Sequence, residues 1–469
     1  MNLTGVSKNI SAVLVANIVS LTISVAIAFV LPKFIPMEGY SYFQLYIFYS
    51  SYIIYGHLGI VDGIYLRYGG KRYDDLDNNM NSAQFILIII FECLIAVCIC
   101  TYAVTFSSGY KMYIFIGVSV ALILANARIY ITQLMQTTGD LTSYARVMLS
   151  ERIVFFLLCM VGVSIFKENI LIFLIFSDIV ARCVSFGIAS YILHDFFLLC
   201  RFFRKEVFVE LKKNFTVGVK LYISNLSSML ILGIYRFFVE HNWDVMVFGK
   251  ISLALSAINA FLVLSNAVGI SLFPMLRREN NDMLDKIFPD MKVIMSYFCV
   301  SLLIFYYPIK AILLTWLPMY EDSYNYMGVL FPMCLFDMQW IILINTYMKV
   351  NRMEASILYI NLFMVALSIV FIILGVQIVK SFYLTMSFIV FLLCVRSLLG
   401  YWKINALLKR RDVSFVELWF VFLFWILNYF FIDTEACGMY FFAVCILYFS
   451  KYKSLKTKLQ RVKRILNEV

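Results

Sequence analysis

The sequence predicts an all-α protein that crosses a membrane many times. Only 14% of its 469 residues are charged and the mean hydropathy is +0.88, whereas a soluble domain is about a quarter charged. Apolar runs of about 20 residues recur along the chain, as at 84–106, and this length fits a helix that crosses a bilayer. A transmembrane β-barrel would instead alternate apolar and polar residues in segments of about ten.

Apolar runs bounded by charge, proline, glycine or asparagine predict about fourteen transmembrane helices. Two six-helix pseudo-repeats would surround a central cavity and two C-terminal helices would follow, because Gly5–Lys8 and Gly218–Lys220 open similar polar faces on the first and seventh spans. The predicted extents are 10–31, 41–62, 83–106, 112–135, 147–166, 169–193, 215–238, 250–273, 291–315, 327–348, 355–378, 381–403, 415–432 and 437–450.

The predicted domain organisation follows these spans and the charge runs between them. It consists of an N-terminal six-helix bundle at 1–200, a cytoplasmic linker at 201–214, a C-terminal six-helix bundle at 215–411, two additional helices at 412–450, and a cytoplasmic amphipathic tail at 451–469.

The distribution of basic residues orients the spans. With both termini in the cytoplasm, the inner segments hold 28 of the 39 lysines and arginines, the outer side holds seven and four lie within spans. Basic loops face the cytoplasm in helical membrane proteins. The net charge of +11 therefore indicates anchoring to anionic lipid rather than nucleic-acid binding, since the bases are divided among eight loops and ends.

A polar, glycine-rich stretch at 59–80 separates the second and third predicted spans. Its Gly69–Arg72 segment suggests a phosphate-binding loop, but a Walker A motif needs Ser or Thr directly after its lysine. Arg72 occupies that position, so this chain lacks the motif for ATP-driven transport. We interpret the stretch as a cytoplasmic connection in which glycines let the chain turn.

Four short motifs resemble those of the multidrug/oligosaccharidyl-lipid/polysaccharide (MOP) exporter superfamily, and within it the bacterial polysaccharide (Wzx-type) flippases. They are GIYLRYGG at 63–70, Arg236-Phe237, Phe273-Pro274 and WLPMY at 316–320. Many members carry an acid before the arginine that ends the seventh span, whereas this chain has Tyr235 there. The resemblance implies a non-enzymatic flippase for undecaprenyl-pyrophosphate-linked oligosaccharide, working by alternating access in the bacterial cytoplasmic (inner) membrane.

The same resemblance implies a role in the biosynthesis of a surface polysaccharide, O-antigen or capsule. The partners would be the lipid-linked oligosaccharide, membrane lipids and polysaccharide polymerase machinery, without nucleic acid. We expect no catalytic residue, no metal site and no cofactor other than a coupling ion, H⁺ or Na⁺. The 11 cysteines lie mostly in apolar runs without a CxxC pair, which is typical of cysteines that act as small hydrophobic residues.

Ionisable residues inside the spans are the candidate site residues, because a charge at the centre of a membrane helix costs about 2.5–3.5 kcal/mol to insert. Arg128 and Arg396 have no acid at helical spacing, and a guanidinium group suits a diphosphate. Arg236, Lys220 and His57 complete the predicted substrate-binding set. For Lys220 the alternative is a side chain that extends to the inner surface, and for His57 it is a structural hydrogen bond.

Four further residues are predicted to couple ions or to form structural ion pairs. Asp178 and Arg182 are four apart on one span and can pair on one helix face. Glu92 and Asp337 are the other embedded acids, and each could either bind H⁺ or Na⁺ or pair with an arginine on another helix.

Three alternatives to the polysaccharide flippase remain open. A cation-coupled drug antiporter of the same superfamily would need a cavity dominated by acids, whereas the spans carry four bases and three acids. A lipid II flippase would rely on the same physics. A membrane glycosyltransferase or polymerase would need a long outer loop or paired acids, and the acid pairs fall in short connections, at Glu240/Asp244, Glu321/Asp322 and Asp433/Glu435.

Overall fold

A computed structural model describes residues 3–166, 169–198, 205–278, 281–409 and 416–467. All regular structure in these ranges is helical, which confirms the predicted all-α class. Nine of the described helices are long and apolar enough to cross a membrane, or ten if a bent pair at Pro318–Leu330 and Met333–Val350 forms one span. The chain is therefore a multi-pass helical membrane protein.

The described chain divides into two units, the first of which comprises Met1–Leu226 and Trp243–Gly249. Its core is α5, which packs against the helices on either side of it in the chain and against α7, α2 and α3. The helices of this unit are α1 (Leu3–Phe34), α2 (Met37–Tyr52), α3 (Ile60–Tyr68), α4 (Asn78–Phe106), α5 (Tyr110–Thr137), α6 (Leu141–Ile165), α7 (Ile170–Ile192) and α8 (His194–Leu198).

The second unit comprises Ser227–Asn242 and Lys250–Val469. Two long helices, α9 (Lys205–Asn242) and α10 (Val245–Arg278), contribute residues to both units. Within the second unit α17 packs against α13, α14 and α16. The remaining helices are α11 (Asn281–Leu302), α12 (Tyr306–Trp316), α13 (Glu321–Leu330), α14 (Met333–Met338), α15 (Asn345–Val350), α16 (Glu354–Ile373), α17 (Phe382–Leu407), α18 (Val416–Phe430) and α19 (Asp433–Asn467).

The second predicted span, 41–62, is a broken helix. After α2 the chain forms a 3₁₀ turn at Ile53–His57, and α3 begins at Ile60. Leu58 (φ 50°) and Gly59 (φ 84°) hold the left-handed conformation that separates the two helices. Such a conformation is uncommon for leucine, because its Cβ crowds the backbone. This break is one reason why fewer of the described helices are long enough to cross a membrane than the roughly fourteen that the sequence predicts.

The stretch interpreted from sequence as a cytoplasmic connection is partly helical. Residues 60–68 belong to α3, so Gly63 lies within a helix rather than at a turn, whereas Gly70, at φ 88°, is a turn glycine as expected. Gly63 lies inside α3 against the backbone of Asn214 on α9, and Gly218, one turn further along α9, lies against Gly59 and Gly63. Small residues four apart let two membrane helices approach closely.

Polar contacts extend the contact between α3 and α9. Nη2 of Arg67 is 2.6 Å from Oε1 of Glu210, and Nη1 of Arg67 donates to Oδ1 of Asn214. Asn214 in turn donates to Gln84 Oε1 on α4 at 2.8 Å. The α3 part of the predicted cytoplasmic connection therefore packs against α9 within the first unit.

A second break interrupts the predicted span 327–348. The helices on either side of Pro332 are bent by 51°, and residues Gln339–Ile344 between α14 and α15 form a π-helical segment. A π-helical segment inserts extra backbone into a helix and is frequent at functional sites. It lies beside α17, the helix that carries Arg396.

The C-terminal helix continues through the predicted start of the tail. α19 runs unbroken from Asp433 to Asn467, so no helix boundary occurs at 451. Arg461 and Lys458 approach Asp290 of α11 at 3.0 and 3.9 Å, which attaches this part of α19 to the second unit. Residues 201–204 of the predicted linker and the predicted boundary at 411/412 lie outside the described residues, and the domain division stays a prediction.

Candidate functional site

Arg128 pairs with a carboxylate that its own helix does not carry. Its Nε lies 2.8 Å from Oε2 of Glu151 on α6, and the two side chains are 8% and 14% exposed. Its Nη1 lies 3.0 Å from Sδ of Met148. The expectation that Arg128 lacks an acidic partner is therefore wrong, because the partner comes from the neighbouring helix rather than from helical spacing.

Glu151 is the residue that sequence reasoning missed in this unit. It lies near the start of the predicted span 147–166, next to Arg152, which counts among the bases of the inner segments, so Glu151 is not among the predicted embedded acids. A signal did exist, because an arginine embedded at bilayer depth requires a counter-charge. The counter-charge of Arg128 lies on α6 rather than on α5, and Glu151 is the acid that supplies it.

The predicted pairing of Asp178 with Arg182 on α7 is confirmed. Nε of Arg182 donates to Oδ2 of Asp178 at 2.7 Å, and the hydroxyl of Tyr46 on α2 donates to the same oxygen at 2.6 Å. Arg128 and Arg182 thus each lie beside a carboxylate of the first unit.

Arg396 is the centre of a buried polar cluster in the second unit, which we call the Arg396 cluster. Its side chain is 5% exposed, and Nη1 lies 3.8 Å from Oδ1 of Asp337. Nε and Nη2 donate to Oδ1 of Asn361 on α16 at 3.1 and 2.9 Å. Nη2 also donates to Oγ of Ser228 on α9 at 2.7 Å, and the guanidinium carbon lies 4.1 Å from the ring centre of Trp340.

Arg396 is not without an acid, because Asp337 pairs with an arginine on another helix, which is one of the two alternatives left open for Asp337 from sequence; the pairing differs from that of Arg128. The 3.8 Å separation from Asp337 is long for a charge-assisted hydrogen bond, which is usually about 2.7–2.9 Å. Neutral partners, an amide and a hydroxyl, make the short contacts. The short contacts of Arg396 are therefore to neutral groups, and its carboxylate partner lies further away.

A second polar chain lies beside this cluster and was not predicted. Gln339, the first residue of the π-helical segment, donates to Oε1 of Glu417 on α18 at 3.1 Å. Ser397 on α17 donates to Gln339 Oε1 at 3.3 Å, and Ser296 on α11 donates to Glu417. Glu417 is 5% exposed. The sequence places it at the start of the predicted span 415–432, where an acid can lie at the membrane surface.

The other predicted substrate-binding residues have separate environments. His57 is buried at the break before α3, and its Nδ1 accepts from the backbone N–H of Gly59 at 3.1 Å. Arg236 donates to Oγ of Ser252 at 2.8 Å, while Lys220 is exposed. Thus His57 has the structural hydrogen bond that was the alternative for it.

Glu92 differs from every other embedded acid of the predicted set. It lies at the midpoint of α4, is 0% exposed, and neither carboxyl oxygen has a hydrogen-bond partner in the described part of the chain. No group of three or more His, Cys, Asp or Glu side chains among the described residues is arranged to hold a metal ion.

These arrangements occur in a fold that is known from solved transporter structures. The chain is similar to the inward-facing conformation of a multidrug resistance MATE family transporter of the MOP superfamily, with a TM-score of 0.62 and 14% identity over 84% of this chain and 100% of that chain. The fold is that of the MOP superfamily.

Two other solved structures share this MOP fold. A lipid II flippase in an inward closed conformation matches with a TM-score of 0.62 and 11% identity over 94% of this chain and 99% of that chain. A eukaryotic MATE transporter matches with a TM-score of 0.54 and 11% identity over 86% of this chain and 96% of that chain. No protein-family model matches the sequence, and no curated protein matches it.

The likeness shows that the chain shares the fold of these transporters. Identities of 11–14% leave the substrate to be argued from the residues of this chain. The proteins with similar structures are transporters and a flippase rather than enzymes.

Proposed function

We propose that the chain is a flippase that moves an undecaprenyl-pyrophosphate-linked oligosaccharide across the bacterial cytoplasmic membrane, with both termini in the cytoplasm. The observation that carries the proposal is the extent of the likeness to the lipid II flippase. The matched region covers 94% of the 469 residues of this chain. Residues 1–411 are too few to account for that share, so the match extends into the C-terminal helices. The MATE transporters cover 84% and 86% of the chain, which residues 1–411 alone could supply.

The Arg396 cluster supports an anionic cargo. A guanidinium group binds two phosphate oxygens in a fixed fork geometry, and Arg396 faces its carboxylate across 3.8 Å rather than in a close pair. A diphosphate oxygen that replaces Asp337 would gain a charge-assisted hydrogen bond. When the inside of the membrane is negative, outward movement of an anion is favoured by about 2.3 kcal/mol per charge per 100 mV.

Arg128 contributes less to this proposal than the sequence suggested. Its contact with Glu151 at 2.8 Å and the Asp178–Arg182 pair leave both guanidinium groups with a carboxylate partner. These two pairs favour neither an anionic nor a cationic cargo. Support for an anionic cargo therefore comes from Arg396 in the second unit.

The proposal is tested with the full chain reconstituted into liposomes that contain a fluorescent undecaprenyl-pyrophosphate oligosaccharide. We expect the protein to equilibrate the lipid-linked sugar between leaflets, measured as the fraction that an external lectin can bind. Protein-free liposomes are the control for spontaneous movement. Unchanged lectin access together with uptake of a cationic dye would contradict the proposal in favour of a drug antiporter.

In cells, the chain should restore surface polysaccharide to a mutant that lacks its polysaccharide flippase. The polymerase machinery, as a proposed partner, would then use the translocated repeat units. Accumulation of lipid-linked repeat units on the inner leaflet, despite expression of the chain, would count against the function.

A further inference from the structure

We infer that Glu92 is a proton-binding site, protonated in the structure described here, and that its deprotonation is coupled to rearrangement of the broken helix that packs on it. The inference about transport rests on the proposed function, whereas protonation of Glu92 does not.

The first argument is the isolation of the carboxyl group. Glu92 is 0% exposed and its two oxygens have no hydrogen-bond partner in the described residues. Transfer of an unpaired carboxylate into an apolar interior is so costly that the group takes up a proton instead. Asp178 and Asp337, the two acids first considered with it, each have an arginine within 4 Å. Glu92 is thus the member of this set that a proton, rather than a cationic side chain, must neutralise.

The second argument is the surface against which Glu92 lies. A Cβ built on Gly56 would lie 3.4 Å from Oε1 of Glu92 and 2.9 Å from Nδ2 of Asn126. Gly56 therefore lets both polar side chains approach the 3₁₀ turn closely. Asn126 donates to the Ile53 carbonyl at 2.7 Å, but its own Oδ1 has no partner among the described residues. The Glu92 carboxyl and the Asn126 amide thus both approach Gly56, and each carries an oxygen without a donor in the described chain.

The other ionisable groups near α4 do not neutralise Glu92. Among the described elements, α5, α8 and the 3₁₀ turn pack on α4, α3 shares an apolar cluster with it, and α9 reaches it through Asn214 and Gln84. Arg128 contacts Glu151, His194 contacts Asp195 at 3.1 Å, and His57 accepts from Gly59, and no described ion pair includes Glu92. The titratable or charged groups on the turn, α5 and α8 are Tyr55 and His57; Tyr110, Lys111, Tyr113, Arg128 and Tyr130; and His194 and Asp195. Those on α3 and on the part of α9 in the first unit are Asp62, Tyr65, Arg67 and Tyr68; and Lys205, Glu206, Glu210, Lys212, Lys213, Lys220 and Tyr222.

The third argument is the mobility expected of the turn itself. Leu58, at φ 50°, is a branched residue in the left-handed region directly after the turn, and such a conformation persists only where its surroundings impose it. Loss of the proton would place a negative charge against this backbone. Water or a cation must then enter, and the break between α2 and α3 is the element that can move to admit them.

The site is tested by infrared spectroscopy on the full chain in phosphatidylethanolamine and phosphatidylglycerol liposomes. We expect the carbonyl absorption of a protonated carboxylic acid at neutral pH, lost in Glu92→Gln and retained in the exposed control Glu435→Gln. Gly56→Ala should shift this absorption without removing it, because the added methyl group displaces Asn126. Identical spectra of the wild-type chain and Glu92→Gln would overturn the inference.

Coupling is tested in the lectin assay with a proton gradient across the liposomes. A gradient should change the wild-type translocation rate about fivefold or more, the lower end of typical coupling energies, and should leave the rate of Glu92→Gln unchanged. A wild-type translocation rate that does not change with the gradient would overturn the coupling but not the proposed flippase function. Absence of translocation in any condition would overturn the flippase, and the infrared result would still decide the proton site.

Discussion

Replacing Arg396 with alanine should reduce the free energy of unfolding by about 3–5 kcal/mol, the usual consequence of removing one partner of a buried ion pair. The change would leave Asp337 without its cation. It would also remove the hydrogen bonds that Asn361 and Ser228 accept from Arg396. Thermal unfolding of the detergent-solubilised full chain measures the effect.

The control is an ion pair of the same unit that is exposed to solvent. Nζ of Lys250 lies 2.5 Å from Asp322, and the two side chains are 20% and 55% exposed. Lys250→Ala should cost about 1 kcal/mol or less, because water screens such pairs. The double variant Arg396→Gln/Asp337→Asn should cost less than the sum of its single changes, since no charge remains unpaired. Equal losses for Arg396→Ala and Lys250→Ala would contradict the described burial of Arg396.

Arg396→Lys separates stability from transport. A lysine keeps the positive charge opposite Asp337 but lacks the planar fork that binds two oxygens. We expect expression and folding near those of the wild-type chain and translocation about tenfold slower, corresponding to loss of about 1.4 kcal/mol of binding to the diphosphate. Wild-type translocation by this variant would remove Arg396 from the substrate path.

Gly63→Ala should destabilise the first unit by about 1–3 kcal/mol, the usual cost of inserting an atom into a filled interior. The new Cβ would overlap the backbone carbonyl of Asn214, and backbone, unlike a flexible side chain, cannot rotate away. Helices α3 and α9 would have to separate, which would also strain the Arg67–Glu210 pair. The loss should appear as a lower unfolding temperature in detergent.

Gly187→Ala is the matched control for this change. Gly187 lies in α7, and a Cβ built on it meets no atom within 4 Å. The substitution should leave the chain unchanged or stabilise it by up to about 1 kcal/mol, because alanine favours the helix. If Gly63→Ala and Gly187→Ala unfold at the same temperature, the close approach of α3 to α9 is not present in the protein.

Some of the architecture could be read from single residues and runs. Long uncharged runs such as 84–106 required helices, because in lipid only an intrachain hydrogen-bond pattern satisfies the backbone. The Asp178–Arg182 contact also followed from sequence, because residues four apart share a helix face. Both inferences depend on local periodicity alone.

The helix breaks could not be read in the same way. Leu58 and Gly59 interrupt an apolar run without a proline or a charge, and Gly63 looked like a turn residue until α9 was placed against it. A glycine permits both a turn and a close helix contact, so its role depends on which backbone approaches it.

The sequence by itself determined that the chain is a helical membrane protein with several ionisable residues inside its spans, because hydropathy and helical period are local properties. Only the tertiary structure decided how those residues are neutralised. Arg128 and Arg396 find acids on other helices, at 2.8 and 3.8 Å, while Glu92 has none in the described chain. The reason is that a charge in a low-dielectric interior interacts with whatever lies nearest in space, and spacing along one helix does not give that distance.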